Sequence, residues 1–178
     1  MAGQTFLQRD TTTQLPKEIT ATQTSAGAAN ANQIPALSAT GFLDPSLFPA
    51  GIGTATVVLP TTEVIASGAL IDIWGGAGGT TPSVRNANAT DATKPAQGFV
   101  NAGVASGANA TVNFPGSLIT GLTGLTIGAS YFLSAATSGA VVAAAAAPAA
   151  SGNIVQQIGT AVSATSIIFN PDPGIIHA

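Results

Sequence analysis

Between Asn32 and Gly53 the chain runs NQIPALSATGFLDPSLFPAGIG, and its spacing of proline and glycine constrains the fold more than any other feature. Pro35, Pro45 and Pro49 remove backbone donors, and Gly41, Gly51 and Gly53 loosen the backbone between them, so neither a long helix nor a central strand can run through. The same stretch carries Ile34, Leu37, Phe42, Leu43, Leu47, Phe48 and Ile52. That is far more apolar area than a flexible solvated linker holds. An extended, turn-rich segment this apolar has to lie on a surface, either of its own domain or of a neighbouring subunit. These seven residues are therefore the candidate protein-interface residues, and the chain divides into an extended N-terminal arm and apolar strap, 1–53, and a β-domain, 54–178.

Only 6% of the residues are charged, against about 25% in an ordinary soluble domain. Dispersed charge is what keeps a lone chain from associating, so a chain this poor in it is expected to be covered by partners. The formal net charge of −3 and four basic residues, Arg9, Lys17, Arg85 and Lys94, provide no electropositive track for phosphates, which argues against nucleic acid as a partner. Cysteine is absent, so disulfides and thiolate zinc sites are excluded. MAGQTFLQRD lacks the basic and apolar regions of a signal peptide. The most apolar run, Gly139 to Ala150, is interrupted by Pro148 and is shorter than the ~20 residues that cross a bilayer. The expectation is a protein made in the cytoplasm, with no membrane partner.

Residues 1–31 show neither a helical nor a strand period, and their Thr, Gln and Ser content predicts loop or disorder in isolation, with ordering on a partner. From Thr54 onward, short runs of Val, Ile, Thr and aromatics are punctuated by Gly, Pro, Asn and Asp about every ten residues. That texture predicts an all-β fold, a compact β-barrel or β-sandwich. The candidate strands are 54–59, 63–66, 70–74, 82–86, 96–104, 110–114, 129–134, 141–144, 153–161 and 166–170. Within Leu70–Trp74, Leu70, Asp72 and Trp74 share one face and Ile71 and Ile73 the other, and both faces want cover. Gly75 to Pro82 is expected to join 70–74 to 82–86 as a hairpin, with Asp72 and Arg85 as a cross-strand pair. Leu122, Leu125 and Ile127 are expected to plug one end of the domain. The Ala run 143–147 predicts a strand end or loop rather than a helix, because it is too short to nucleate alone. The apolar end of the chain, beyond Pro171 and Pro173, is expected to pair or dock.

Catalytic chemistry needs convergent groups with tuned protonation, and candidates are sparse. The one histidine, His177, is penultimate, and a Ser-His-Asp arrangement would depend on it. Glu63, Asp72, Asp91 and Asp172 are the carboxylates of the β-domain, and structural or solvated roles account for them. Gly75-Gly-Ala-Gly-Gly79 follows a strand but has no Lys-Ser/Thr behind it and no helical pattern after it, so the phosphate-loop reading fails. No catalytic, cofactor or metal residue is assigned, and the chain is not expected to be an enzyme.

The run from Ile34 to Gly53, IPALSATGFLDPSLFPAGIG, resembles the IPALDxxGxxDxSxMPxGIG stretch of tailed-bacteriophage virion proteins, with Ser38 and Phe48 standing where that pattern has Asp and Met. The phrases from Ala96 to Gly116 and from Ile154 to Ser166 are similar to the β-domains attached to it. The likeness covers roughly residues 26 to 178. It implies a head decoration, or cement, protein of a double-stranded DNA phage. On that reading the chain binds the major capsid protein on the outer capsid surface as an oligomer, commonly a homotrimer, and stabilises the shell of the virion. The alternative it implies is a tail-fibre or tail-associated adhesin module binding the host surface, which would need a polar, aromatic-bearing site, and for that the chain offers only Trp74 and Tyr131 with few charged helpers.

Overall fold

The structure, a computed structural model, describes residues 5–31, 33–39, 41–48 and 55–178. Packing divides the chain into two compact units, Met1–Gly53 and Thr54–Ala178. Strands and three short 3-10 turns make up all the regular structure of the described residues, so the protein is all-β.

In the first unit, β1 (Thr5–Arg9) and β2 (Pro16–Thr20) form an antiparallel hairpin where loop or disorder was expected, with Phe6 opposite Ile19 and Leu7 opposite Glu18. The turn explains why. The Asp10 carboxylate accepts from the backbone N–H of Thr12 and Thr13, and Gln14 takes a positive φ of 60°. A polar Asp-Thr-Thr-Thr-Gln run thus closes a ribbon that apolar periodicity does not reveal.

The second unit contains β3 (Thr56–Pro60), β4 (Leu70–Trp74), β5 (Ser83–Asn86), β6 (Gly98–Phe99), β7 (Asn109–Asn113), β8 (Leu118–Ile119), β9 (Ser130–Leu133), β10 (Val141–Ala143), β11 (Ile154–Val155), β12 (Gln157–Ser163), β13 (Ser166–Phe169) and β14 (Ile175–Ile176). One five-stranded sheet has the order β3-β7-β6-β4-β5, the other the order β10-β9-β12-β13-β8, and every strand pair in both is antiparallel. The first sheet curls until its two edges meet at the parallel bridge Thr61↔Val84. The ends of β4 and β5 are joined through the glycine loop, with Asp72 opposite Arg85 and Trp74 opposite Ser83.

Two apolar clusters account for this arrangement. Ile71, Val84, Val100, Ala110 and Val112 fill the concave side of the curled sheet, together with Ile65 and Ala69. Leu70 and Phe99 on its other side meet Ile119, Leu133, Ile158, Ile167 and Phe169 of the second sheet, so the two sheets pack as a sandwich. Phe99 and Phe169, both fully buried, cross edge to face with ring centroids 5.2 Å apart, the preferred geometry of an aromatic pair. Leu122 and Leu125 pack against this second cluster as expected, whereas Ile127 is exposed and plugs nothing.

Several strand boundaries differ from the sequence expectation. Residues 63–66 make only a single bridge, Ile65↔Val104, and the Val64 carbonyl accepts from the Asn86 side chain instead of a strand neighbour. The expected strand 96–104 is regular only at Gly98–Phe99. The stretch 153–161 splits at Gln156, where β11 leaves to pair with β14 and β12 joins β9 and β13. Gln156 makes the break tolerable: its buried side-chain amide accepts from Ala96 N and donates to Ala96 O, standing in for a strand neighbour. The short strands β8 and β14 were not expected, although the chain end does pair.

Gly159 marks the tightest backbone approach in the unit. It lies beside a register shift in β12, has φ 155°, and a Cβ there would stand 1.9 Å from the Ile168 carbonyl oxygen. Gly159→Ala is expected to break the β12–β13 ladder and lower stability, read from the urea midpoint, by far more than the roughly 1 kcal/mol of a typical substitution. Gly152→Ala, also at positive φ but with open space around its Cβ, is expected to cost only about 1–2 kcal/mol of backbone strain.

Candidate interaction surface

The first unit is held together by main-chain and short polar contacts. Thr22 N donates to Ile34 O and Ala36 N to Thr22 O, forming a parallel bridge between Thr22 and Pro35. Gln23 Nε2 donates to Leu37 O at 3.0 Å, and Ser25 N to Ser46 Oγ at 2.8 Å. Ser38 N donates to Phe42 O, and Gly41 N to Ser38 O, which brings Phe42 back beside Ser38. Asp44 accepts from Ser46 N at the start of the 3-10 turn Pro45–Leu47. The serine's side-chain and backbone bonds hold the Asp44 carboxyl below the usual range, and backbone bonds from Thr13 and Thr12 do the same for Asp10.

None of these contacts builds a core. Among the described residues of this unit the only buried apolar side chains are Ala21 and Ala36. Ile34, Leu37, Phe42, Leu43 and Phe48 are all exposed, Phe42 at 71%; Leu47 is half-buried, and Ile52 lies outside the described residues. Sequence reasoning left the hairpin out of this set, yet Phe6, Leu7 and Leu15 are exposed too, Leu7 at 76%. Their signal was three large apolar residues in a polar stretch, too few to make a period.

Most charged groups of the second unit are committed to local structure; Asp172 is exposed and bonded through its backbone. Arg85 Nε donates to Asp72 Oδ2 at 2.7 Å and Nη2 to Thr93 O at 2.9 Å, while the guanidinium lies 4.6 Å from the centre of the Trp74 ring. The Asp72 side chain is 3% exposed and that of Arg85 18%, so the pair is mostly dry, not the solvated cross-strand contact that the sequence suggests. Burial pushes the Asp72 carboxyl above its ordinary value, and the Arg85 hydrogen bond and charge offset this only in part. Asp91 does the opposite. Side-chain and backbone bonds from Thr93, with Lys94 at 3.2 Å, hold it down to about 2. Glu63 accepts from the backbone and side chain of Asn86. His177 is exposed, and its backbone N–H pairs with Asn153 O in the β11–β14 ribbon.

No group of three or more His, Cys, Asp or Glu among the described residues is placed to hold a metal ion. An open cleft of about 380 Å³ runs beside Ser67, Leu122, Leu125, Thr137 and Ser138, and Tyr131 is the one titratable side chain in its lining. The Tyr131 hydroxyl accepts from Thr126 N at 2.9 Å. Tyr131 is itself buried, and one face of the half-buried Trp74 ring is covered by Arg85.

Replacing Arg85 by Met removes the partner and leaves the Asp72 carboxylate buried alone. At pH 7 this is expected to cost about 3–5 kcal/mol, read as a lower urea midpoint. The folded-state pKa of Asp72 is already raised, and loss of Arg85 raises it further. The penalty for ionising it is therefore present in full above that value and shrinks as pH falls through it towards the unfolded value, so the gap between wild type and variant is expected to narrow towards pH 4 without closing, because the contacts of Arg85 with Thr93 O and Trp74 are lost at every pH. Comparison of the chain with protein-family models, curated proteins and solved structures found no match.

Proposed function

We propose that this protein is a structural subunit of a virion, a decoration or cement protein that binds the major capsid protein lattice of a tailed-phage head as an oligomer and stabilises the shell. The observation that carries this reading is the absence of a core among the described residues of the first unit. A stretch that exposes Phe6, Leu7, Leu15, Leu37, Phe42 and Phe48 while burying only Ala21 and Ala36 gains little hydrophobic stabilisation by itself. Ordering a residue costs about 1–2 kcal/mol, and burial of a large apolar side chain returns roughly 1.5–3 kcal/mol only when something covers it. The cover must come from outside this unit. A protein lattice supplies it continuously, and the resemblance of Ile34 to Gly53 to virion proteins supports reading that lattice as a phage head.

On this reading the strap binds through apolar and main-chain contacts, not ion pairs. Its charged residues, Arg9, Asp10, Lys17, Glu18 and Asp44, sum to −1, which gives no steering field. Attachment is therefore expected to be insensitive to salt. The head location also calls for many copies per particle, whereas a tail-associated subunit would be present in few.

The test uses capsids stripped of this protein, mixed with the full chain and sedimented. Leu37→Asp with Phe42→Asp, both at exposed positions, is expected to leave circular dichroism and melting of the chain unchanged and to weaken capsid binding by about tenfold or more, as loss of interface anchors does. Undiminished binding by this variant would sink the proposal, as would antibody labelling found on tails and not on heads.

A further inference from the structure

Most sheet edges of the second unit end in side-chain caps or turns. On the outer edge of β8, Asn101 donates from Nδ2 to Leu118 O and accepts at Oδ1 from Thr120 N, so one amide stands in for a strand. On β5, Asn86 N donates to Glu63 Oε1, and Val84 O accepts from Thr62 N. On β4, Ile73 N lies beyond the pairing with β6 and donates to Gln97 Oε1. The edge of β10 stops after Ala143 in a 3-10 turn. Strand β3 differs. It is the longest edge strand of this unit and pairs with β7 over its whole length without a register shift.

The direction of each backbone group in β3 follows from its flanks. Phe114 N donates to Ala55 O, and Thr61 N to Ala108 O. Ala55, Val57, Leu59 and Thr61 therefore turn their main-chain groups to β7. Thr56 and Val58 turn theirs the other way, where no strand stands, and among the described residues these N–H and C=O groups have no partner. Both faces are open here too: Thr56, Val57 and Val58 are all exposed, Val58 at 60%. Natural edges are guarded by charge, proline or a bulge. Residues 54–59, TATVVL, contain no charge and no proline, and Pro60 stands where the Thr61↔Val84 bridge already closes the edge.

We infer that the outer edge of β3 is a strand-addition site, and that its occupant is an extended segment of the lattice protein to which the strap binds. The inference rests on the capsid-binding reading and names how the second unit takes part in it. Hydrogen bonding selects the chemistry. Donor and acceptor groups recurring every second residue, about 6.8 Å apart, match the main chain of another extended strand. Such pairing draws its affinity from the main chain and its selectivity from side chains on the two faces. The chain itself selects the partner. Thr56 follows the exposed Phe48 by eight residues, a reach of at most about 28 Å. A subunit that covers the strap is thereby held at high effective concentration within reach of β3, whereas a second copy has to diffuse in.

Amide exchange tests it. The isotopically labelled full chain is bound to stripped capsids, exchanged in D2O, released and read residue by residue by NMR. In the free chain, Val57 and Leu59 are expected to exchange slowly and Thr56 and Val58 fast; on capsids all four are expected to be slow. Val58→Pro removes the outward N–H while sparing the β7 ladder. It is expected to leave circular dichroism and melting unchanged and to weaken capsid binding by about tenfold or more, as loss of a main-chain bond with a steric clash does. Val58→Ala keeps the main chain and is expected to weaken binding by no more than about threefold. Should Val58→Pro fail to fold, the exchange pattern decides alone. Thr56 and Val58 still fast on capsids, or a folded Val58→Pro that binds as wild type does, would overturn this inference while leaving capsid binding intact. Protection of both amides in the free chain at high concentration would also overturn it, by giving the edge to a second copy. A chain that does not bind capsids at all sinks both proposals.

Discussion

Leu70 and Ile71 are neighbours in sequence, point to opposite sides of β4, and are both fully buried. A strand covered on both faces needs apolar material above and below it, and the rest of the second unit is arranged to supply it. Below, the first sheet curls around Ile71, Val84 and Val112 until Thr61 meets Val84. Above, the second sheet brings Ile158, Ile167 and Phe169 onto Leu70 and Phe99. The buried Asp72–Arg85 pair follows from the same constraint, because the carboxylate occupies the next position on the Leu70 face and leaves water with it. Arg85 then has three tasks at once: neutralising Asp72, covering Trp74 and holding the Thr93 carbonyl. Such a pair adds little net stability over an apolar substitute, but loss of one partner is costly.

Where side chains alternate strictly and loops carry glycine, the sequence was legible. Strand β4 matches its expected bounds, and the hairpin to β5 with Asp72 facing Arg85 was readable from the Gly75–Pro82 loop and the period of two. All-β character followed from the ten-residue punctuation. What escaped reading has physical causes. Strands of two residues, such as β8 and β14, contain too few positions for any period. The β1–β2 hairpin is stabilised by an Asp10 turn instead of an apolar face, so periodicity was the wrong signal. The break at Gln156 depends on a contact with Ala96, 60 residues away in the chain.

The candidate interface was legible as composition and not as geometry. Seven apolar residues among prolines and glycines identified the strap, because such residues have no regular element in which to hide. Nothing in that pattern told whether they would turn inward. Main-chain bonds such as Thr22 N to Ile34 O and Ser38 N to Phe42 O tie the backbone together, while Ile34, Leu37, Phe42, Leu43 and Phe48 stay exposed. The open edge of β3 was hidden for a different reason. A run such as Thr56-Val57-Val58 reads the same at an edge as within a sheet until register shows which side has no neighbour, and here the Val57 main chain turns to β7 and that of Val58 away from it.

The two units therefore avoid charge for different physical reasons. In the second, a buried ion is tolerated only where a partner stands beside it: Asp72 has Arg85, and the exposed end of β3 has no ion at all. In the first, charges are present but sit in turns and at the hairpin, where Asp10 and Asp44 organise backbone N–H groups. Leu37 and Phe42 lie between those turns with no acid or base beside them in sequence. A surface without charge has no long-range attraction to offer a partner, so association must rely on contact area and local concentration. Such weak surfaces are effective where many copies are held close together, because each first contact raises the effective concentration for the next. An array satisfies that condition, whereas dilute solution does not, and this favours assembly over solitary action as the setting in which the strap and the β3 edge make physical sense.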